Sequence, residues 1–595
     1  MRNIRGTPVK MGNTELLSLD ELTAAVKSSK LALPQFQRPS VWKDKEKREL
    51  IVSLCMDVPI GSFLIWEYEK TFKTHKRTEL REFEGYPLNK STVGYLLIDG
   101  QQRLQLLTNL ENSDFGKKNF VQFESTLGEI RPRVLPVSSK QFLDPNCEIL
   151  VSELAGLSTG VISTLDSAYH PMANSFRQNL RQTQIPVRFF EKDKPRQWVL
   201  FVYQTCNLAG KGLTGEDYVE AALSFYYPTL PDTLKKDLHN ITSSSSIIGI
   251  NKKLTRSVFL KSMVDEIYHQ TSFTEARKWG LDILNLRLIT QQEKIKTKVP
   301  EISSPLNGKI VKDAYVAVLQ SMKKIIAALT NHWQLTNAKC LVTNEIVMLS
   351  AFYRSHTKPT KQELGAISVK LMLSMIRKST TGGSTQAMTT DACNAMRTPA
   401  PGALLDSILQ THDLRPEDIG FIDAENKKKP KSALGKDSMM FQLMKLSVFR
   451  DGCVDIFTQS HALTRATFSM DDVDHFYPKS KLKSSDLMIR RDHLANFVIM
   501  SQWSNRSKGG KWPYAVIDSH KVWPKTKQEK ENWKNLVLPN LPGQKDSAWA
   551  QLPKVGSKKE LKFSKDLYLD FLRWRSKALV QKLNKMLKDI ETNGF

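Results

Sequence analysis

The chain has 595 residues, 40% apolar and 25% charged, and its 87 Lys plus Arg against 61 Asp plus Glu leave a formal net charge of +26, a mixture that excludes wholesale disorder and fibrous repeats. No run approaches the roughly 18 apolar residues of a membrane span, the basic start Met1–Gly6 lacks the apolar core of a secretory signal, and six scattered cysteines without a C-x-x-C pair disfavour a disulfide framework or a zinc knuckle. What is left is a basic, multidomain chain expected in the cytoplasm, with a polyanion as its partner.

In chain order, helical spacing of apolar residues marks Leu19–Val26 and Lys43–Met56, and short β-type runs follow at Ser62–Tyr68 and Tyr95–Ile98. Asp99-Gly-Gln-Gln-Arg103 turns the chain, and Leu104–Leu110 resumes as helix. Residues 111–180 read as an insertion or loop-rich region. Ile185–Phe190 reads as a strand, Pro195–Cys206 as a helix, and Asn207–Leu213 as a turn. From about 230 to 445 the pattern is helical, as in Val311–Leu329 and Asn344–Tyr353, with loops or linkers at Ser243–Ser246, Ser379–Gln386 and Asn426–Lys431. A β-type stretch ends in Asp471-Asp-Val-Asp-His475. The last element is a basic amphipathic helix, about Ser564–Ile590, with Ser564 as N-cap and Leu572, Leu579, Leu583 and Leu587 as its buried stripe. Packing with a solvated lysine face is the simpler reading of that helix than contact with DNA.

The strongest chemical signal lies near the C-terminus, in Asp472-Val-Asp-His-Phe-Tyr-Pro-Lys479, Leu494-Ala-Asn-Phe-Val-Ile-Met500 and Asn505-Arg-Ser-Lys-Gly-Gly-Lys511. Hydrolysis of a phosphodiester needs a base for water, and a neutral imidazole suits that near pH 7. His475 is the candidate base. It also needs a hard cation at the scissile phosphate; Asp474 and Asn505 supply oxygens of the kind Mg²⁺ (or Mn²⁺) takes, with water completing the shell. Lys508, or else Arg506 or Lys511, is a candidate positive charge for the developing phosphorane. An isolated Asp-His pair is more often a local hydrogen-bonded turn; Asn496 and Asn505-x-x-Lys508 in register turn the reading towards a metal nuclease. His493 reads as structural or surface.

These three strings resemble the HNH, or ββα-metal, nuclease signature in the form found in the CRISPR effector nuclease and in GmrSD-type restriction enzymes. Asparagine stands where the namesake pattern has its last histidine, as in many one-metal HNH enzymes. The resemblance implies that Asn496 orients the His475 ring across the hairpin.

Three further strings stand in succession near the N-terminus: Leu33-Pro-Gln-Phe-Gln-Arg-Pro-Ser-Val-Trp42, Val58-Pro-Ile-Gly-Ser-Phe-Leu-Ile-Trp66 and Leu97-Ile-Asp-Gly-Gln-Gln-Arg-Leu104. Asp99-Gly100 makes a tight turn at a strand end, so the amides of the next helix can face a phosphate. Arg38 and Arg103 can fork to phosphate oxygens, and Gln37, Gln101 and Gln102 can hydrogen-bond phosphate, base or sugar. Asp99 is placed to hold a metal or a water. No P-loop string occurs, and a turn with a buried polar network explains D-G-Q-Q-R equally in kind. Phe36, Trp42 and Trp66 read as core rather than as stacking groups. With Cys206-Asn-Leu-Ala-Gly-Lys-Gly-Leu-Thr-Gly-Glu-Asp217, these strings resemble the GmrSD N-terminal domain, a relative of the ParB/sulfiredoxin fold. That resemblance implies binding and hydrolysis of a nucleoside triphosphate (GTP or ATP); Asn207, Lys211 and Thr214 are candidates for the other side of the same pocket, and a helix-terminating glycine loop explains each of them, taken singly, as well. Arg377–Ser384 echoes a further motif.

The expected architecture is therefore α+β and multidomain: a ParB-like sensor over 1–228, a helical connector over 229–445 and an HNH nuclease over 446–595. By resemblance the expected function is NTP-regulated, Mg²⁺-dependent cleavage or nicking of modified phage or plasmid DNA, with a homo-oligomer or other defence proteins as further partners. The rivals are a phosphorothioate-sensing nickase of the SspE type, a non-enzymatic DNA-binding regulator and an RNA-directed nuclease. Residues 508–595 hold 19 Lys plus Arg against 9 Asp plus Glu, an excess of 10, which gives phosphate affinity without base information.

Overall fold

Period-two alternation in three short apolar runs builds the first unit around a sheet covered on both faces. In the computed structural model, β3 (Phe63–Glu67) turns Phe63 and Ile65 into one core and Leu64 and Trp66 into another. The structure describes residues 14–35, 37, 42–67, 80–126, 129–139, 142–156, 159–190, 202–203, 215–224, 226–270, 308–377, 385–409, 411–419, 438–455, 458, 460–467, 471–482, 493–509, 526–536 and 565–595. The chain divides into two units, Met1–Thr233 with Leu306–Gly308, and Leu234–Pro305 with Lys309–Phe595.

The first unit's main sheet has six strands: β1 (Thr14–Ser18), β2 (Leu31–Pro34), β3, β4 (Leu80–Arg81), β5 (Tyr95–Asp99) and β9 (Gln184–Phe190), in the order β1-β9-β3-β5-β2-β4. It is mixed: β3 runs parallel to β9 and antiparallel to β5, and β5 runs parallel to β2. The helix Leu19–Lys27 starts at a capping box in which Ser18 Oγ accepts from the Glu21 N–H (3.2 Å) and Glu21 Oε2 accepts from the Ser18 N–H (2.8 Å). Trp66 lies in one core and Trp42 packs against the other, both apolar packing positions as read from sequence; Phe36 is outside the described residues.

The 111–180 stretch is ordered, contrary to its loop-rich reading. β6 (Asn119–Thr126), β7 (Glu129–Pro136) and β8 (Glu148–Leu150) form an antiparallel sheet in the order β7-β6-β8, followed by the helix His170–Gln182. The strand signal of β7 is weak because it is an edge strand with two arginines and two prolines, Glu-Ile-Arg-Pro-Arg-Val-Leu-Pro, and few buried positions. The predicted helix over Pro195–Cys206 and the turn over Asn207–Leu213 lie almost wholly outside the described residues.

The second unit is helical up to the last third. Thr343–Ser355, Lys361–Arg377 and Met439–Arg450 are buried on nearly every side, as befits helices in the middle of a helical body. Within it, Arg354 and Arg397 pair with Asp265, and Arg354 Nε bonds Glu266 at 2.6 Å. The C-terminal helix Lys565–Asn593 lies against Lys361–Arg377. The approach is close enough that a Cβ on Gly365 would sit 2.2 Å from the Ile590 carbonyl oxygen. Leu572, Leu579, Leu583 and Leu587 form the buried stripe, while Lys577, Lys585 and Lys588 face solvent. Packing with a lysine face is thus its arrangement; Ser564 is outside the described residues. The candidate loops at Ser379–Ser384 and Asn426–Lys431 are outside them too, whereas Thr385 and Gln386 open the helix Thr385–Ala395. Five described cysteines, Cys55, Cys147, Cys340, Cys393 and Cys453, are free thiols.

Candidate active site

In the second unit, β10 (Asp471–His475) and β11 (Phe497–Ser501) form an antiparallel pair with His475 opposite Phe497, and the helix Gln502–Lys508 follows β11 directly. The first two charged candidates therefore sit at the end of one strand, and the last two on the helix after its partner. The His475 ring is largely buried, 4.8 Å from the Phe497 ring, with Nδ1 3.7 Å from Asp474 Oδ1. Beyond it, Phe476 stacks on Phe571 and Tyr477 meets Phe571 and Tyr568 edge-on, anchoring the strand end.

Asn496 is fully buried and grips the backbone after His475. Its Oδ1 accepts from the Tyr477 N–H (2.8 Å), its Nδ2 donates to the Tyr477 carbonyl (3.1 Å), and its own carbonyl accepts from the Phe476 N–H (2.5 Å). Resemblance implies that Asn496 orients the His475 ring, and the bonds named here fix the chain that carries that ring. Lys508 lies within the same cluster. Its side chain is 2% exposed, and its ammonium donates to Asp474 Oδ2 (2.5 Å) and to the His475 carbonyl (2.6 Å). A lysine so placed positions Asp474, whereas Arg506 on the same helix is exposed. Lys511 is outside the described residues. His493 accepts from the Ala495 N–H through Nδ1, a structural cap.

Burial raises the Asp474 carboxyl, but the bonds and charge of His475 and Lys508 overcome it and hold the group at about 2. It is a fixed anion over all ordinary pH. Asn505 lies one turn before Lys508 and so shares the flank of the helix that meets Asp474. Among the described residues no three His, Cys, Asp or Glu side chains gather into a metal cage. One carboxylate and one carboxamide suit Mg²⁺, which keeps several of its waters and uses one or two protein ligands.

Two positioning residues were not read from the sequence. Asp455 is fully buried and holds the start of the Gln502–Lys508 helix, its Oδ2 accepting from the Ser501 N–H (2.6 Å) and its Oδ1 from Ser504 Oγ (2.5 Å). Nothing local in Cys-Val-Asp-Ile distinguishes it. Arg575 is also fully buried, donating to the carbonyls of Ala495 (2.6 Å) and Leu536 (3.0 Å), and burial lowers it to about 9. Its signal was available: an arginine inside the apolar stripe Tyr568, Leu572, Leu579.

In the first unit, Gly100 caps the helix Gln101–Thr108 with φ +96°, and a Cβ there would meet the Phe63 ring at 2.2 Å. Only glycine fits this turn. Arg103, expected at a phosphate, donates instead to the carbonyls of Ile60 (2.6 Å) and Ser62 (2.9 Å) and to Asp99 (3.2 Å), above the Phe63 ring. Gln102 Oε1 accepts from the Trp42 N–H. Gln37, 2% exposed, donates to the carbonyls of Leu97 (2.6 Å) and Ile98 (2.8 Å). Its Oε1 and the Gln101 Nε2 are buried without partners. Arg81, which sequence reading passed over, reaches the Gln37 carbonyl at 3.2 Å. Arg38, Asn207, Lys211 and Thr214 lie outside the described residues.

Residues 20–224 match the family model described as GmrSD restriction endonuclease, N-terminal domain. The chain carries a GmrSD-family N-terminal domain. Five of the six strands of the sheet, all but β1, and the residues Gln37 and Asp99–Arg103 fall inside the match, which stops short of the second unit. A comparison with curated proteins finds no match. No helix among the described residues is long and apolar enough to cross a membrane.

Proposed function

We propose that this chain, with its GmrSD-type N-terminal domain, is an NTP-regulated, Mg²⁺-dependent DNA endonuclease or nickase of the modification-dependent phage-defence kind, with an HNH site in its second unit. The observation that carries the reading is the ββα order of β10, β11 and the Gln502–Lys508 helix, with Asp474 and His475 at the first strand's end and Asn505 beside the lysine that touches Asp474. Asp474 and Asn505 would hold the ion. When bound, it supplies positive charge to the scissile phosphate and the leaving oxygen. His475 accepts the proton of the attacking water. Lys508 keeps Asp474 oriented and ionised, and Asn496 and the aromatic anchors keep the His475 strand end from shifting.

The test is supercoiled plasmid, plain, glucosylated or phosphorothioated, with Mg²⁺ and with or without GTP or ATP. Nicked or linear product that EDTA prevents is the expected result; supercoiled DNA left intact under every condition removes the nuclease reading. For the nucleotide, the support is the pair of buried amide atoms on Gln37 and Gln101 left without partners beside a helix start, since a buried polar atom is costly unless something satisfies it. We take this sheet as a ParB/sulfiredoxin-like sensor of nucleotide and modified DNA. Asp99→Ala is expected to abolish NTP turnover by the full chain, and turnover at the parent rate would remove the nucleotide site.

A further inference from the structure

Asp455 lies in an arch that is itself pinned. Val454 pairs with Ala462 as an antiparallel bridge, and Leu463 N–H donates to the Cys453 carbonyl. The Asn532 side chain bonds both the N–H and the carbonyl of Val454 at 2.9 Å. The arch delivers a carboxylate with no solvent exposure to the first turn of the Gln502–Lys508 helix. Its two oxygens accept from the Ser501 N–H, from Ser504 Oγ and from the Thr458 N–H (3.0 Å). A buried carboxylate is tolerated when such donors surround it, and the positive end of a helix favours it further.

A neutral Ser or Asn would cap that helix with less desolvation. What the carboxylate adds is a grip on two successive points: the last residue of β11 and the first inward side chain of the helix. Together they fix the helix in rotation as well as in position. Ser504 and Lys508 are one turn apart on the inward face, 0% and 2% exposed, and Asn505 follows Ser504 directly. A helix turned about its axis would carry Asn505 away from Asp474 and withdraw Lys508 from it. We infer that Asp455 is a positioning residue for the metal-binding side chains, acting through Ser501 and Ser504. The inference rests on the nuclease reading above.

The experiment follows Mn²⁺ binding to the full chain without DNA by electron paramagnetic resonance, alongside the Mg²⁺ concentration that half-activates plasmid cleavage. Asp455→Asn keeps the shape but turns one acceptor into a donor facing an N–H or hydroxyl donor. It is expected to weaken Mn²⁺ binding by about ten- to a hundredfold, the range for partners that orient metal ligands. The activating Mg²⁺ concentration should rise by the same factor. Plasmid affinity measured in EDTA should change by no more than about twofold, since phosphate contacts elsewhere supply it. Ser504→Ala, which removes only one of the three donors, should shift both metal readouts in the same direction by less.

A folded Asp455→Asn protein with parental Mn²⁺ affinity overturns the inference, even if its melting temperature falls. So does a Ser504→Ala protein with parental affinity, should Asp455→Asn fail to fold. A parent chain that neither binds Mn²⁺ nor cuts DNA removes the nuclease reading and the inference with it. Parental affinity in the variants of a cutting, Mn²⁺-binding parent removes the inference alone.

Discussion

His475→Ala is expected to lower Mg²⁺-dependent plasmid cleavage by about a hundred- to ten-thousand-fold, the usual contribution of a positioned general base. The ring contributes little that the fold cannot spare. The strand end is held by Asn496 on the Phe476 and Tyr477 backbone and by the stacking of Phe476 on Phe571, so circular dichroism and plasmid affinity in EDTA should remain near the parent's. The proposed ligands, Asp474 and Asn505, are untouched, so Mn²⁺ binding should persist. A His475→Ala protein that cuts at the parent's rate removes the assignment of the base and leaves metal-dependent cleavage to be explained by other groups.

The second large effect is on stability and its pH dependence. Lys508→Met removes the ammonium from a place where it is 2% exposed and bonded to Asp474 and the His475 carbonyl. Breaking a buried pair on one side leaves the other charge uncompensated, at a cost of about 3 kcal/mol. In the parent, the Asp474 carboxyl stands at about 2, below the 3.8 of a free side chain. A depressed carboxyl stabilises the folded state above its unfolded pKa, and that contribution disappears as pH falls from about 4 through about 2. In Lys508→Met the hydrogen bonds from His475 remain, the charge and hydrogen bond of the lysine are lost, and the burial that raises the group is unchanged. Its pKa must rise, and the acid loss of stability must move to higher pH. Urea unfolding between pH 2 and pH 8 reads this directly. Parent and variant should differ most above pH 4 and converge towards pH 2; curves that overlay at every pH would show that the lysine does not hold Asp474.

How much of this was legible in the sequence follows from where the information lies. The helices Leu19–Lys27 and Gly308–Asn331 and strands β3, β5, β9 and β10 are written in local periodicity, and they stand where that periodicity put them. Gly100 was legible because a positive φ beside a packed ring admits one residue type. Edge strands were not: β1 and β7 bury few side chains, so their pattern is mostly that of a surface. Residue types in the site were legible, but their partners were not. Lys508 could be read as a cation near the chemistry, yet only the fold shows its ammonium spent on Asp474. Arg103 could be read as a phosphate fork, yet its donors go to Ile60 and Ser62. Asp455 and Arg575 act across 46 and 80 residues of sequence on Ser501 and Ala495, and no short-range pattern carries such a pairing.

The burial of Arg575 has a consequence for how the second unit holds together. This one side chain joins the Lys565–Asn593 helix to the carbonyl before Asn496, while the same helix lies along Gly365 and pairs Asp589 with Arg450 and Glu591 with Lys370. The β10–β11 hairpin therefore shares the stability of the helices packed around it. Loosening any of those helices raises the fraction of molecules in which the hairpin is open, because its free energy is drawn from the same cooperative transition. Contacts this distant in sequence also close late in folding. Under the proposed function, competence to cut is thus gained and lost with the folding of the second unit as a whole.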